Sequence, residues 1–244
     1  MRWFLAMVVC MAAAIGVSTA AIRAGSPTDT APVPLSRAAP VTQPPTKAAA
    51  TSPRVNCKIT KCIALTFDDG PSMYTERLLD ILEAQRVKAT FFVVGYNAAA
   101  RPRILRHIHR AGHEIGTHTQ NHLSLTRLSS AGIRRELLGP IRHIKAAGAE
   151  VRLFRPPYGA TNSRVRRIAR GLGLTQVLWT VDPQDWLHRN SATVTRRILS
   201  ATRRNSIILS HDIHRTTVAA MPKIIRTLKA RGYTFVTVSD LLDR

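Results

Sequence analysis

From Cys62 onward, short apolar runs alternate with longer stretches in which apolar residues recur every three or four positions. The run CIALTF at 62–67 predicts a strand buried on both faces, since a strand with one wet face would alternate with polar residues. TERLLDILEAQ at 75–85 sets Leu78, Leu79 and Leu82 on one side of a helix. The alternation continues with strand KATFFVV (88–94), helix RPRILRHIHRAG (101–112) stopping at Gly112, and strand HEIGTH (113–118). Next come helix 132–148, strand VRLFR (151–155), helix 162–173 and strand LTQVLWTV (174–181). Helix 191–202, strand NSIILSH (205–211), helix 217–232 and strand YTFVTVS (233–239) complete the series. Such alternation calls for parallel strands joined by right-handed crossovers. The fold class is α/β, and the length accommodates a distorted (β/α) barrel of about seven strand–helix units, short of eight regular repeats.

The first 54 residues follow no such pattern. Residues 1–20 carry Arg2, an apolar run and small residues ending Ser18-Thr19-Ala20, which predicts a secretory signal peptide cleaved after Ala20. Uncleaved, the same run approaches the length of a membrane anchor. Residues 21–54 are rich in Ala, Pro, Thr and Ser and nearly devoid of large apolar side chains. They cannot bury enough surface to offset the entropy of ordering, so they predict a flexible tether ahead of one domain, 55–244.

Composition changes this picture in two places. Lys and Arg number 36 against 14 Asp and Glu, a formal net charge of +22. The arginines cluster at helical spacing, as in Arg164, Arg166, Arg167 and Arg170, which suits the outer faces of amphipathic helices. No nucleic-acid-binding motif accompanies them, so the expected partners are an acidic cell wall or anionic lipid headgroups, not nucleic acid. Past the signal, only Cys57 and Cys62 remain, separated by the four residues KITK, and in an oxidising compartment they can close a short disulfide loop.

In parallel α/β folds, ligand sites gather at the carboxyl ends of the strands. Here those ends read Asp68-Asp69, His118 with His122, Arg155 to Tyr158, Asp185-Trp186, and His211-Asp212. Each is expensive to bury and chemically useful. The pair in HTQNH, at i and i+4, can project onto one face of a helical turn and chelate a divalent metal, given a third ligand.

Five segments in order, TFDDGP (66–71), HTQNH (118–122), RPPYG (155–159), DPQDW (182–186) and LSHD (209–212), resemble the polysaccharide deacetylases of the NodB-homology type, carbohydrate esterase family 4. The resemblance spans roughly 57–241. It implies an enzyme that hydrolyses the N-acetyl group of N-acetylglucosamine-type residues in a polysaccharide; with the signal segment read above it is expected to be secreted, and a monomer is expected. Peptidoglycan is the first choice of substrate; chitin oligomers and acetylated xylan are the rivals, and a wall-binding module without activity is the non-enzymatic alternative. It further implies that Asp69, His118 and His122 hold a divalent metal, Zn2+ by its mixed oxygen and nitrogen donors, with Co2+ or Ni2+ tolerated. By the same resemblance Asp68 is the general base, oriented by Arg155, and His211 is the general acid, supported by Asp185. The backbone N–H of Tyr158 would stabilise the oxyanion, while Trp186 and Leu209 would wall a pocket for the acetyl methyl group. Asp182 and Asp212 read as structural supports, and the six other histidines as surface or packing residues.

Overall fold

The computed structural model describes residues 55–243; the expected signal peptide and tether, 1–20 and 21–54, lie outside the described residues. Seven strands alternate with helices: β1 (Cys62–Asp68), α1 (Thr75–Ala84), β2 (Thr90–Val93), α2 (Gly95–Ala100), α3 (Pro102–Arg110) and β3 (Glu114–Thr117). Then follow α4 (Ser130–Ala146), β4 (Leu153–Phe154), α5 (Ser163–Gly171), β5 (Thr175–Gln176), α6 (Ser191–Ala201), β6 (Ile207–Ile208), α7 (Arg215–Ala230), β7 (Thr234–Val236) and α8 (Val238–Leu242).

All the strand pairings are parallel, in the order β5-β4-β3-β2-β1-β6, with β7 also on β1. After β5 the chain curls back: Leu209 N–H donates to Val181 C=O at 2.9 Å, and Val181 bridges Ile208. That single bridge stands where a regular barrel would have a full ladder. The curled parallel sheet with outer helices is the distorted (β/α) barrel that the alternation predicts.

Side chains of a strand alternate between faces, and β1 uses both. Ile63, Leu65 and Phe67 point outward into a core with Leu78 and Leu82 of α1 and Ile224 and Leu228 of α7, all but unexposed. Cys62 and Ala64 face inward, where they meet Phe92, Leu153, Val177 and Val236. Continuing that inward period gives Thr66 and then Asp68, so the pleat that buries the core delivers the carboxylate to the mouth of the curled sheet. Each outer Leu or Ile contributes roughly 1.5–3 kcal/mol by burial, stability that such a polar interior needs.

Helix starts are capped as their sequences suggest. Ser129, Asn162 and Asn190 each accept a backbone N–H from the first turn of α4, α5 and α6. Gly112 ends the α3 segment at a φ of 74°, which glycine adopts without a Cβ penalty. At the opposite end from the site, Cys57 and Cys62 are joined in a disulfide with Cα atoms 5.4 Å apart, tying the entry loop to β1.

The strand expected over 233–239 stops at Val236, with Val238 and Ser239 already in α8. Two further expectations need correction. The segment HTQNH is not a helical turn: it follows β3 as irregular chain, with Thr119 at φ 69° and His122 at φ 55°. The strand expected over 174–181 ends at Gln176, because the chain must leave β4 to reach β6. The short helices α2 and α8 carry too few residues to show a period in sequence.

Candidate active site

Where β1 ends, two adjacent carboxylates part company. Asp68 is 2% exposed, and its Oδ1 accepts from Arg155 Nη1 at 2.7 Å. Asp69 takes the left-handed backbone, φ 74°, a conformation that Asp tolerates better than most side chains, and turns its carboxylate into the cleft beside its neighbour's. The loop is pinned by Asn97 Nδ2, which donates to the Asp69 carbonyl at 2.8 Å. Gly70 is needed here, since a Cβ would lie 2.3 Å from the Asp212 carboxylate oxygens.

Arg155 is 0% exposed and binds in four directions. Besides Asp68, Nη1 donates to Thr66 Oγ1 at 2.7 Å, and Nη2 to the Leu178 carbonyl at 3.2 Å. Its guanidinium carbon stands 4.2 Å from the centroid of Phe92. Burial pulls its pKa below the ordinary value, and the charge and hydrogen bond of Asp68 pull it back up. Its own carbonyl oxygen accepts from His118 Nδ1 at 2.7 Å. That bond fixes the tautomer: with its proton on Nδ1, His118 presents a bare Nε2 to the cleft.

His122 is oriented differently. Its Nδ1 lies 3.2 Å from Tyr158 Oη, which also reaches the His122 carbonyl, and this holds the ring with Nε2 turned toward Asp69. Burial lowers the His122 pKa, with the charge of Asp69 offsetting part of the effect. The two Nε2 atoms lie 3.5 Å and 3.3 Å from Asp69 Oδ1. That oxygen is buried and has no hydrogen-bond donor. A buried carboxylate oxygen without a donor, faced by two imidazole nitrogens, suits a cation, and Asp69, His118 and His122 offer three ligand atoms within 4.8 Å of one another. The donor set and the orphaned oxygen fit a divalent metal.

Across the cleft, His211 Nδ1–H donates to Asp185 Oδ1 at 2.7 Å, and the His211 backbone N–H donates to Oδ2 at 2.8 Å. Thr217 Oγ1, in the first turn of α7, donates to the same Oδ2 at 2.8 Å. Burial alone would lower the His211 pKa. The hydrogen bond and charge of Asp185, aided by Asp68 and Asp69, outweigh it and raise the pKa to about 9. Asp212 behaves oppositely to a surface carboxylate: burial, against the Thr75 hydrogen bond, raises it to about 7.

The cleft between these groups measures about 420 Å³ and is walled by Tyr158, Trp179, Trp186 and Leu209. Asp68, Asp69, His118, His122 and His211 open into it. Arg155 and Asp185 do not; they stand behind Asp68 and His211. Tyr158 itself sits at φ 60°. Asp182 takes a turn role, accepting from Gln184 N–H at 2.7 Å, yet it also lines the cleft. His113 is buried and accepts the Ala89 N–H at 3.1 Å, as a packing histidine would.

Sequence reasoning missed Trp179, which sits inside what reads as a strand, and the threonines 66 and 217 that complete the Arg155 and Asp185 networks. For the threonines a signal existed: Thr66 follows the inward period of β1 two positions before Asp68. For Trp179 none did.

A family model described as polysaccharide deacetylase matches residues 56–177. The peptidoglycan-N-acetylglucosamine deacetylase PgdA of Listeria monocytogenes is 39% identical over 186 residues, covering 75% of this chain. The match spans only 39% of that relative's length. A chitooligosaccharide deacetylase of Sinorhizobium fredii is 36% identical over 187 residues, 70% of this chain and 87% of that one. Among solved structures, "T48 deacetylase with substrate" is 43% identical with a TM-score of 0.75, covering 78% of this chain and 94% of that one.

Proposed function

Because this chain belongs to the polysaccharide deacetylase family, we propose that it hydrolyses the N-acetyl group of N-acetylglucosamine-type residues in cell-wall glycan, with peptidoglycan as substrate. The observation that carries the reading is the orphaned Asp69 Oδ1 between two imidazole nitrogens, with a second carboxylate and His211 on the same cleft. Asp69, His118 and His122 would hold a divalent ion, zinc by donor set, which supplies Lewis acidity toward the acetyl carbonyl and makes water a better nucleophile.

The chain's own residues divide the proton work. Asp68 has one oxygen occupied by Arg155; the other, Oδ2, takes the proton of the water that attacks the acetyl carbon. The Tyr158 backbone N–H meets the charge that develops on the carbonyl oxygen. His211 gives its proton to the sugar nitrogen as the C–N bond breaks, leaving acetate and a free amine. Asp185 keeps His211 protonated and aimed, and Trp186 and Leu209 enclose the acetyl methyl group. Acetate release by the purified protein, with and without chelator, on peptidoglycan, chitin oligomers and acetylated xylan tests the reading.

The acid role has a pH signature. The protonated form is lost as pH rises through a raised pKa, so activity declines on the alkaline side. Asp185→Asn removes the carboxylate charge that raises it, and the alkaline limb moves to lower pH by a unit or more. A kcat profile unchanged on that side would assign the acid elsewhere.

The substrate choice rests on charge. We read residues 1–20 and 21–54 as an export signal and tether, leaving a strongly basic domain near the wall. Peptidoglycan carboxylates and attached acidic polymers attract it over the ~8 Å Debye length at physiological salt, whereas chitin is neutral. Pelleting with walls therefore weakens as salt rises. Salt-insensitive pelleting together with faster turnover on chitin oligomers would promote the chitin alternative.

A further inference from the structure

Beside the catalytic cleft, and sharing His122 and Tyr158 with it, lies a shallower depression of about 600 Å³. Leu123, Ser124, Arg127 and Leu128 complete its wall. The two hollows differ in charge: the catalytic cleft contains three aspartates, while this one contains no carboxylate and one arginine. Leu123 is 44% exposed and Tyr158 71%, apolar surfaces of the kind on which the carbon face of a sugar ring rests.

Arg127 is not on a loose loop. It ends a short 3-10 turn, Leu125–Arg127, whose first residue is completely buried. Arg164 of α5 clamps the turn from below, its Nη2 donating to the carbonyls of Thr126 at 3.2 Å and Leu128 at 2.8 Å, the residues on either side of Arg127. Ser124 Oγ and Thr126 Oγ1 add a contact at 3.2 Å. Among the described residues, no carboxylate forms an ion pair with Arg127; the arginine pairs run from Arg77 to Asp80 and from Arg155 to Asp68. The fold thus holds a cation with no internal counter-charge at the rim of a sugar-sized hollow one step from the reacting centre.

We propose that this depression seats the sugar next to the one being deacetylated and that Arg127 pairs with a carboxylate on that sugar, so that the site prefers an acidic glycan to a neutral one. The inference rests on the deacetylase reading above and adds a residue that selects among its substrates. Guanidinium and carboxylate match as a two-pronged pair, and the stacked ring would shield the pair from water.

The test compares wild type, Arg127→Gln and Arg127→Lys on two oligomers of equal length: neutral N-acetylglucosamine oligomers, and oligomers in which alternate sugars bear a lactyl carboxylate. KM and kcat are measured from acetate release at two salt concentrations. Arg127→Gln raises the KM for the acidic oligomer about fivefold relative to that for the neutral one, the upper range for an exposed ion pair, with the kcat ratio steady. The lysine variant recovers part of the loss, and higher salt shrinks the wild-type preference. Equal KM changes on both oligomers, or a wild type that favours the neutral one, overturns the proposal. Absence of acetate release from either oligomer by wild type refutes the deacetylase reading itself, a separable outcome.

Discussion

Asp68→Asn lowers turnover by at least about 10²-fold, the scale of a general base, while leaving the cleft's shape intact. Asparagine keeps an oxygen for Arg155 Nη1 but offers the attacking water no base. A second cost accompanies the first. Arg155 is entirely buried, and Asp68 is the carboxylate that neutralises it. Breaking a buried pair on one side costs roughly 3–5 kcal/mol when the remaining charge stays unpaired. The retained hydrogen bond, the Leu178 carbonyl and the face of Phe92 soften this, so a lower melting temperature with a folded protein at assay temperature is expected. Kinetics at matched metal content, beside thermal unfolding, separate the two effects. Turnover within tenfold of wild type in a folded variant would remove Asp68 from the role of base.

His122→Ala abolishes acetate release and weakens zinc binding, and chelation of the wild-type protein does the same reversibly. His122 is the better position to truncate than His118. It is partly exposed, whereas His118 is 2% exposed and donates to the Arg155 carbonyl, so His118→Ala would leave a cavity and an unsatisfied acceptor together. With His122 gone, Asp69 and His118 remain as two ligands, too few to fix a catalytic metal. Zinc titration by calorimetry reads the ligand role directly, apart from activity. Full turnover in a metal-free preparation would exclude the mechanism.

How much of this was legible in the residues depended on what each signal encodes. The inward period of β1 and the polar ends of successive strands are properties of a two-residue repeat, so Asp68, Asp69, Arg155 and His211 could be brought to one rim before any coordinates. Spacing of the His118–His122 pair carried less than it seemed to. Four residues apart suits a helix, but the rings converge, 4.9 Å between centroids, through two positive-φ residues in an irregular loop. Backbone conformations of that kind leave no mark in Thr or His. Apolar runs also overstate strands: LTQVLWTV buries Leu174, Val177 and Val181, yet only Thr175 and Gln176 pair with β4, and Trp179 is released to wall the cleft. The Arg127 hollow was invisible for the same reason, being made by the clamp of Arg164 across 36 and 38 positions of chain.

Arg155 serves the site through two different parts of itself. Its guanidinium steadies the Asp68 carboxylate, while its main-chain carbonyl sets the tautomer of His118. Mutation can reach the first and cannot reach the second, because every amino acid at position 155 brings a carbonyl. On the proposed function, a change there takes away the partner that orients Asp68 but leaves in place the carbonyl that orients His118. If the proposed function holds, one substitution at position 155 could turn the enzyme into a lectin, a protein that binds glycan without turning it over.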